Sequence, residues 1–147
     1  MNLVSRKPGH LIRRLHQIST QIFTQNMKNA GFDLTSVQYA VLDALEQSQG
    51  VDQARLADAV AKDRATLGAV VDRLEQKGLI KRKVNDRDAR ARILSLTPEG
   101  TAMLRQVQPV VEGLQREILR DLTDREYERF IELAAKAAGA GGEFGGS

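Results

Sequence analysis

The sequence contains no cysteine and only two histidines, His10 and His16. The absence of cysteine excludes disulfide bonds, thiolate zinc sites and redox sensing by thiols. Two histidines that share a metal on one helix are normally three or four positions apart, whereas these two are six apart. We therefore expect no metal site and no cofactor.

Long apolar stretches are missing as well. No run approaches the ~18 apolar residues needed to span a membrane, and the N-terminal MNLVSRKPGH lacks the apolar segment of a signal peptide. A cytoplasmic protein without a membrane partner is the expectation. The sequence also shows no nucleophile paired with a base and no Gly-rich phosphate loop before a helix, which argues against an enzyme.

Positive charge is concentrated in the middle of the chain. The formal net charge is +3 over 147 residues, but residues 62–92 alone hold ten Lys/Arg and five Asp/Glu, a net of +5, which leaves −2 for the remainder. A basic centre in a slightly acidic surround indicates a polyanionic partner. A solvated charged surface is the alternative reading. The apolar fraction of 41% is enough for a folded core.

Apolar spacing predicts six helices. The first runs from about residue 8 to 29 and stops at Gly31, with Pro8 in its first turn. Thr35 and Gln38 have the spacing of a capping box that begins the second helix. The fifth runs from Thr97-Pro98-Glu99 to about residue 121. Asp52 and Asp63 are candidate N-caps of the third and fourth helices, and Thr123 or Asp124 of the sixth.

Each helix has an apolar face that identifies its buried side. The sequence stripes for the first to sixth helices are Leu11, Leu15, Ile18 and Ile22; Val37, Val41 and Leu45; Leu56, Ala57 and Val60; Leu67, Val70, Val71 and Leu74; Leu104, Val107, Val111, Leu114 and Ile118; and Tyr127, Phe130, Ile131 and Ala134. The first stripe is narrow, as in helices that associate.

A helix-turn-helix followed by a wing is predicted between these helices. The third and fourth helices are separated by only a few residues. Two short strands, about 79–84 and 92–96, follow and are joined by the turn NDRDARA. The fold class is therefore mainly α with a small β-hairpin.

The second helix of a helix-turn-helix enters the major groove of DNA with its N-terminal residues. Here these are Arg64, Thr66, Gly68 and Ala69. Arg73 follows where it would meet the phosphate backbone or pair with Asp72 or Glu75. Arg64 suits a guanine edge or a phosphate, and Thr66 a base, a phosphate or a thymine methyl. Gly68 has two open explanations, close approach of the backbone to DNA or close packing of another helix.

The wing is rich in basic side chains: Lys81, Arg82, Lys83, Arg87, Arg90 and Arg92. Arginine on a narrow hairpin tip can enter the minor groove, where the negative potential is strongest. We assign this role to Arg87 and Arg90. Asp88 can hold Arg90, or the turn itself, in a fixed geometry. An ordinary polar hairpin is the alternative.

The stretch DRATLGAVVDRLEQKGLIKRKVNDRDARARILSLTPEG resembles the MarR family of bacterial transcriptional regulators. Its D-R-x-T, V-D-R-L-E and G-L-I segments, the D-x-R wing and L-T-x-x-G are similar to that family's pattern. The resemblance implies a winged helix-turn-helix in a homodimer whose first, fifth and sixth helices interleave. It also implies repression of a nearby promoter until a small molecule lowers DNA affinity. Many relatives carry polar or basic residues where this chain has Gly68 and Ala69.

The resemblance divides the chain into functional segments. Residues 1–31 would form an N-terminal dimerisation helix, residues 32–97 the winged helix-turn-helix and residues 98–138 the C-terminal dimerisation helices. Residues 139–147, GAGGEFGGS, would be a flexible tail.

The N-terminal PGHLIRRLHQISTQIF and the segment TSVQYAVLDAL are similar to a MarR subgroup that governs aromatic-acid catabolism. That similarity implies that Arg13 binds the ligand carboxylate, which suits the paired donors of a guanidinium. Surface charge or salt bridges within a dimer are the alternatives for Arg13. The further candidates for the same cleft are His10, His16, Ser19, Gln38 and Tyr39.

These observations predict a homodimer on a pseudo-palindromic operator in double-stranded DNA. An aromatic carboxylate such as a hydroxybenzoate would bind between the lobes. It would favour a spacing of the two recognition helices that no longer matches the DNA grooves. Two alternative functions are a non-specific architectural DNA-binding protein and a winged helix that contacts only other proteins.

Overall fold

A computed structural model describes residues 5–48, 50–60, 64–84, 87 and 92–139 of the chain. These residues form six α-helices and three short β-strands, which confirms the predicted fold class. The elements are α1 (Pro8–Ala30), α2 (Ser36–Gln47), β1 (Val51–Asp52), α3 (Gln53–Ala59), α4 (Arg64–Gln76), β2 (Ile80–Val84), β3 (Arg92–Leu96), α5 (Pro98–Ile118) and α6 (Asp124–Ala137). None of the helices in the described ranges is both long and apolar enough to cross a lipid bilayer.

The sheet contains a strand that the sequence pattern did not predict. β1 pairs antiparallel with one edge of β3, with Val51 opposite Leu94 and Asp52 opposite Ile93, while β2 pairs with the other edge. A strand of two residues is too short to show the alternation by which strands are recognised. Its effect is to attach the start of α3 to the hairpin formed by β2 and β3, which we call the wing.

Side-chain caps and a glycine fix the first helix boundaries where the sequence predicted them. Gly31 ends α1 in the left-handed conformation, with φ of 83°. Thr35 and Gln38 form the predicted capping box of α2. Asp52 caps α3 by accepting a hydrogen bond of 2.8 Å from the Arg55 backbone N–H. The predicted cap of α4, residue 63, lies outside the described residues.

The two C-terminal helices are also capped by threonine. Thr97 caps α5, which begins with Pro98 as predicted. Thr123, and not Asp124, caps α6, and it does so through a capping box with Glu126. The predicted end of α5 at about residue 121 is wrong, because α5 ends at Ile118. The residues that follow connect it to the cap of α6.

The hydrophobic core is shared by α1 to α5 and the sheet. Val41, Leu42 and Leu45 of α2 have no solvent exposure. The buried side chains of the two helices around them repeat with the predicted spacing and are Leu67, Val71 and Leu74 in α4 and Leu104, Val107, Val111 and Leu114 in α5. Each fully buried leucine contributes roughly 1.5–3 kcal/mol to folding. This core fixes α4 relative to α5 and the wing.

The base of the wing is attached directly to the start of α5. The Thr97 backbone N–H donates to the Leu79 carbonyl at 3.1 Å, and the Thr97 hydroxyl donates to the Gly78 carbonyl at 2.6 Å. A Cβ atom added to Gly100 would lie only 2.0 Å from the Leu79 carbonyl oxygen. The glycine of the L-T-x-x-G segment therefore permits a backbone contact that seats α5 against the junction of α4 and β2.

α6 is attached to the rest of the chain only loosely. Its apolar side chains Tyr127, Phe130, Ile131 and Ala134 face α1 and the end of α5, as the stripe predicted, but no residue of α6 is buried. Ile131 remains 44% exposed and Leu133 49% exposed. A single chain therefore leaves an apolar face of α6 largely uncovered.

Candidate nucleic-acid interface and effector groove

α4 has one buried face and one exposed face. Leu67, Val71 and Leu74 point into the core and are completely buried. The exposed side chains between residues 65 and 73 are Ala65, Thr66, Ala69, Asp72 and Arg73. The predicted orientation of Thr66, Ala69 and Arg73 is therefore confirmed, and their DNA contacts stay a prediction. The Arg64 side chain, Asp88 and Arg90 lie outside the described residues.

α3 packs on α4 in the arrangement of a helix-turn-helix. Leu56 and Ala57 of α3 are buried in the common core, and Val60 packs against it. The predicted inward face of α3 is thus confirmed. Because both ends of the motif are held by core side chains, the exposed side of α4 is presented on a rigid support.

An ion pair joins the wing to α4. Arg82 of β2 contacts the Asp72 carboxylate through Nη2, and its Nε lies 3.6 Å from Oε1 of Glu75. The second distance is too long for a hydrogen bond and acts as a charge contact only. The Arg82 side chain is 24% exposed. The sequence analysis grouped Arg82 with the other basic side chains of the wing. In the structure, Arg82 instead holds the wing against α4.

The other described basic side chains of α4 and the wing are exposed. Lys81 and Lys83 alternate with Arg82 along β2 and lie on its other side, as expected for successive residues of a strand. Arg73 of α4 and Arg87 of the wing turn are exposed as well. The exposed face of α4 and the wing thus form one basic surface, of the kind that phosphate backbones attract.

Lys77 secures the other end of α4. Its Nζ donates to the Asp33 carbonyl at 2.7 Å and lies 3.3 Å from Oε1 of Gln38, the oxygen that also accepts from the Thr35 backbone N–H. The Lys77 side chain is only 18% exposed, so it belongs to the α2 cap and not to the basic surface. The same contacts occupy Gln38, which is 8% exposed.

Gly68 has more room than close helix packing requires. A Cβ built on Gly68 would have one neighbour within 4 Å, the Nε2 atom of Gln53 at 3.5 Å. That separation is an ordinary van der Waals contact with the end of a flexible side chain. Packing of α3 therefore does not require glycine here, which favours the other explanation, approach of the backbone to DNA.

Replacing Gly68 with alanine should stabilise the free protein. Alanine is about 0.8–1.0 kcal/mol better than glycine in a helix interior, and the added methyl group fits. We expect the free energy of urea unfolding to rise by about 0.5–1 kcal/mol, with Ala69→Gly as the control that lowers it by a similar amount. A clear loss of stability in Gly68→Ala would show that close packing, and not DNA approach, requires the glycine.

An apolar groove lies between α1, the end of α5 and α6. Its volume is about 690 Å³. It is lined by Ile12, Leu15, His16, Ser19, Gln115, Ile118, Leu119, Tyr127, Phe130, Ile131, Leu133, Ala134, Ala137 and Ala138. Most of these side chains are apolar, so the groove suits either another apolar surface or a ligand with an apolar body.

The structure separates the predicted effector residues into two groups. His16 and Ser19 line the groove, and Arg13 lies exposed less than one turn before His16 on α1. His10 is half-buried near the start of α1. Gln38 and Tyr39 are on α2, outside the groove lining. Within the described part of the chain, no cluster of three or more His, Cys, Asp or Glu could hold a metal ion.

Tyr39 lies in an environment that keeps its phenol neutral. Its ring packs against Phe23, with the ring centroids 5.8 Å apart. Burial raises the pKa of Tyr39 above its ordinary value, and the carboxylates of Asp43, Glu46 and Glu112 raise it further. The hydroxyl is therefore a hydrogen-bond donor at neutral pH, in surroundings that repel anions.

A domain model described as the MarR family matches residues 34–91, which cover the helix-turn-helix and most of the wing. Transcriptional regulator HosA of Escherichia coli O111:H- is 33% identical over 134 residues, covering 91% of this chain and 96% of HosA. The chain belongs to the MarR family. Membership of this family of transcriptional regulators confirms that the chain is not an enzyme.

This MarR-family regulator is also similar in sequence to a second regulator and in structure to a third. The HTH-type transcriptional repressor NicR of Pseudomonas putida is 32% identical over 133 residues, covering 90% of this chain and 83% of NicR. The structure of Bordetella bronchiseptica BpsR, described as regulated in its DNA binding by 6-hydroxynicotinic acid, matches with a TM-score of 0.83. It is 28% identical, covering 94% of this chain and 97% of that one.

Proposed function

We propose that this MarR-family regulator is a homodimeric repressor that binds a pseudo-palindromic operator in double-stranded DNA and is released by a small aromatic carboxylate. The observation that carries the proposal is the exposed face of α4, which lies beside a basic wing. Arg82 of the wing joins the two through its ion pair with Asp72. Two copies of α4 would enter successive major grooves, with half-sites about 10 bp apart. Arg87 and Arg90 would reach the flanking minor grooves. Such a protein works in the cytoplasm, where the bacterial chromosome lies.

The proposal assigns a role to each segment. Residues 32–97 form the DNA-binding unit, because they contain the helix-turn-helix and the wing. Residues 1–31 and 98–138 form the dimerisation unit, and the predicted tail, residues 139–147, lies outside the described residues apart from Gly139. The support for this division is that α1 and α5 pack on each other, whereas α3 and α4 pack together and on α2.

The second copy would cover the apolar groove. Ile12 is 66% exposed, and Ile131 and Leu133 are about half exposed at the other side of the groove. α6 buries none of its residues within one chain, although its apolar stripe is well formed. Contact with the same elements of a partner would bury these side chains. Each Å² of apolar surface removed from water would stabilise the dimer by roughly 25 cal/mol.

The effector is an aromatic carboxylate such as a hydroxybenzoate, with Arg13 as the residue that binds its carboxylate. Arg13 is exposed on α1, and the next residues on that side of the helix, His16 and Ser19, line the apolar groove. A guanidinium beside an apolar surface suits a ligand with one charged end and one aromatic body. The likeness to BpsR, whose DNA binding is described as regulated by 6-hydroxynicotinic acid, supports the same ligand class.

The ligand acts through a difference in affinity between two arrangements of the dimer. It can release DNA only if it binds more tightly to the arrangement whose two α4 helices do not match successive grooves. A coupling of about 1–3 kcal/mol, the usual range for allosteric coupling between two sites, corresponds to about a 5- to 150-fold loss of DNA affinity.

Fluorescence anisotropy on the protein's own upstream intergenic DNA tests the effector. One member of a panel of hydroxybenzoates and hydroxynicotinates should lower affinity about 5- to 150-fold. Arg13→Ala should abolish that response and leave affinity without ligand unchanged, because Arg13 is remote from α4. Arg14→Ala is the matched control and should keep the response. If Arg13→Ala responds like the native protein, the carboxylate role of Arg13 is wrong.

A further inference from the structure

Among the described residues 65–69, the exposed side of α4 carries few groups that can read DNA bases. Of the described side chains between residues 65 and 69, two are methyl groups, Gly68 has none, and Thr66 is the one polar group on the exposed side. Bases in the major groove are distinguished by hydrogen-bond donors and acceptors. Besides Thr66 and the predicted reader Arg64, whose side chain is not described, a neighbouring side chain can therefore take part in base readout here.

The carboxamide of Gln53 lies beside this part of α4. Its Nε2 atom is 3.5 Å from the position that a Cβ on Gly68 would occupy. The Gln53 side chain thus rests against the helix where α4 itself lacks a side chain. Gln53 is half-buried, and its amide has no hydrogen-bond partner among the residues that the structure describes. A half-buried amide without a partner is available to a ligand that supplies one.

The backbone that carries Gln53 is held from two sides. The preceding residue, Asp52, pairs with Ile93 of β3 and also caps α3 through the Arg55 backbone N–H at 2.8 Å. Gln53 is the first residue of α3. Its side chain therefore starts from a fixed point between the wing and α4, which lowers the entropy lost when the amide forms new hydrogen bonds.

We infer that Gln53 is a specificity-determining residue that reads a base edge in the major groove over the space left by Gly68. A glutamine carboxamide pairs with N6 and N7 of adenine through two hydrogen bonds, so adenine is the expected base. In this arrangement Gly68 leaves room for the DNA beside the Gln53 amide. The inference rests on the proposed function, in which α4 enters the major groove.

Anisotropy with the protein's own upstream intergenic duplex and a scrambled duplex tests the affinity. Gln53→Ala should weaken binding to the native duplex about 5- to 150-fold. Binding to the scrambled duplex and the dependence on salt should not change, because no phosphate contact is lost. Gln25→Ala removes the same carboxamide from an exposed site on α1, away from α3 and α4, and should bind like the native protein.

Selection from a random duplex library tests the base. The native protein should select adenine at one symmetry-related pair of positions, and Gln53→Ala should lose that preference alone. Gln53→Glu should select cytosine there, because a carboxylate accepts from cytosine N4. Glutamate in the first turn of α3 suits the helix dipole, so this variant keeps the fold, which thermal melting checks.

The outcomes separate this inference from the proposed function. Equal losses on native and scrambled duplexes would mean that Gln53 contacts phosphate only, and no loss on either would mean that it makes no contact. Either result overturns the inference. If the native protein itself does not prefer its own upstream DNA, the proposed function fails instead, whatever the variants do.

Discussion

Replacing Leu133 with aspartate is expected to convert the protein from a dimer into a monomer and to lower its affinity for operator DNA by a hundredfold or more. Leu133 is 49% exposed in the single chain, so the charge costs little in the isolated fold. In a dimer that covers the groove, the same carboxylate would be buried without a partner, and symmetry would bury it twice. An unpaired buried charge costs several kcal/mol, enough to raise the dimer dissociation constant about a thousandfold.

Sedimentation equilibrium and fluorescence anisotropy measure the two consequences. A monomer can hold only one half-site, which is why DNA affinity should fall together with the dimer. Glu128→Asp is the matched control, because it places the same residue on α6 outside the groove lining. If Leu133→Asp remains a dimer at the concentrations at which the native protein is one, the groove is not the dimer interface.

Replacing Gly100 with alanine is expected to lower the free energy of unfolding by about 3 kcal/mol or more, at the upper end of overpacking effects. The added Cβ would lie 2.0 Å from the Leu79 carbonyl oxygen and 2.9 Å from its carbon. Both partners are backbone atoms, so relief requires α5 and the wing base to separate. That movement breaks the two hydrogen bonds between Thr97 and residues 78 and 79.

Gly113 in the same helix is the control for helix propensity. A Cβ on Gly113 would meet nothing within 4 Å. Gly113→Ala should therefore raise stability by about 0.8–1.0 kcal/mol, opposite in sign to Gly100→Ala. Urea unfolding of both variants checks the pair. Equal or higher stability of Gly100→Ala would mean that the α5–wing contact yields without cost.

The helix boundaries could be predicted because they depend on local chemistry. Gly31 adopts the left-handed conformation that glycine favours, and the Thr35–Gln38 capping box uses groups three residues apart. β1 could not be predicted in this way, since Val51 is recognised as a strand residue only through its pairing with Leu94, far along the chain. The apolar stripe of α6 does not by itself reveal what covers it, and only the family resemblance assigned α6 to a dimer contact.

The candidate DNA surface was predicted in outline and revised in detail. Exposure of Thr66 and Arg73 follows from their helical position opposite Leu67. The pairing of Arg82 with Asp72 depends on how the wing folds against α4. Sequence composition counts every base alike, whether it faces solvent or a carboxylate. Asp72, in the V-D-R-L-E segment, precedes Arg82 by ten residues. Only the fold determines that the two side chains are in contact.

The effector candidates show the same limit. Arg13, His16 and Ser19 lie at three-residue intervals on α1, and His16 and Ser19 line the apolar groove, while Arg13 is not among its lining residues. Gln38 and Tyr39 were added from a neighbouring segment, and the structure gives them other surroundings, the α2 cap and the Phe23 ring. Whether one ligand reaches both groups depends on contacts between elements that no local pattern encodes.

Specific operator binding is tested by measuring the affinity of the protein for its own upstream intergenic duplex and for a scrambled duplex, each at about 50 and about 200 mM salt. Specific recognition by α4 and the wing predicts at least about a thousandfold preference for the native duplex. Phosphate contacts from the basic surface predict that affinity falls about 10³- to 10⁵-fold between the two salt concentrations. Equal affinity for both duplexes, or an affinity that does not change with salt, would contradict the account of this protein as an operator-binding regulator.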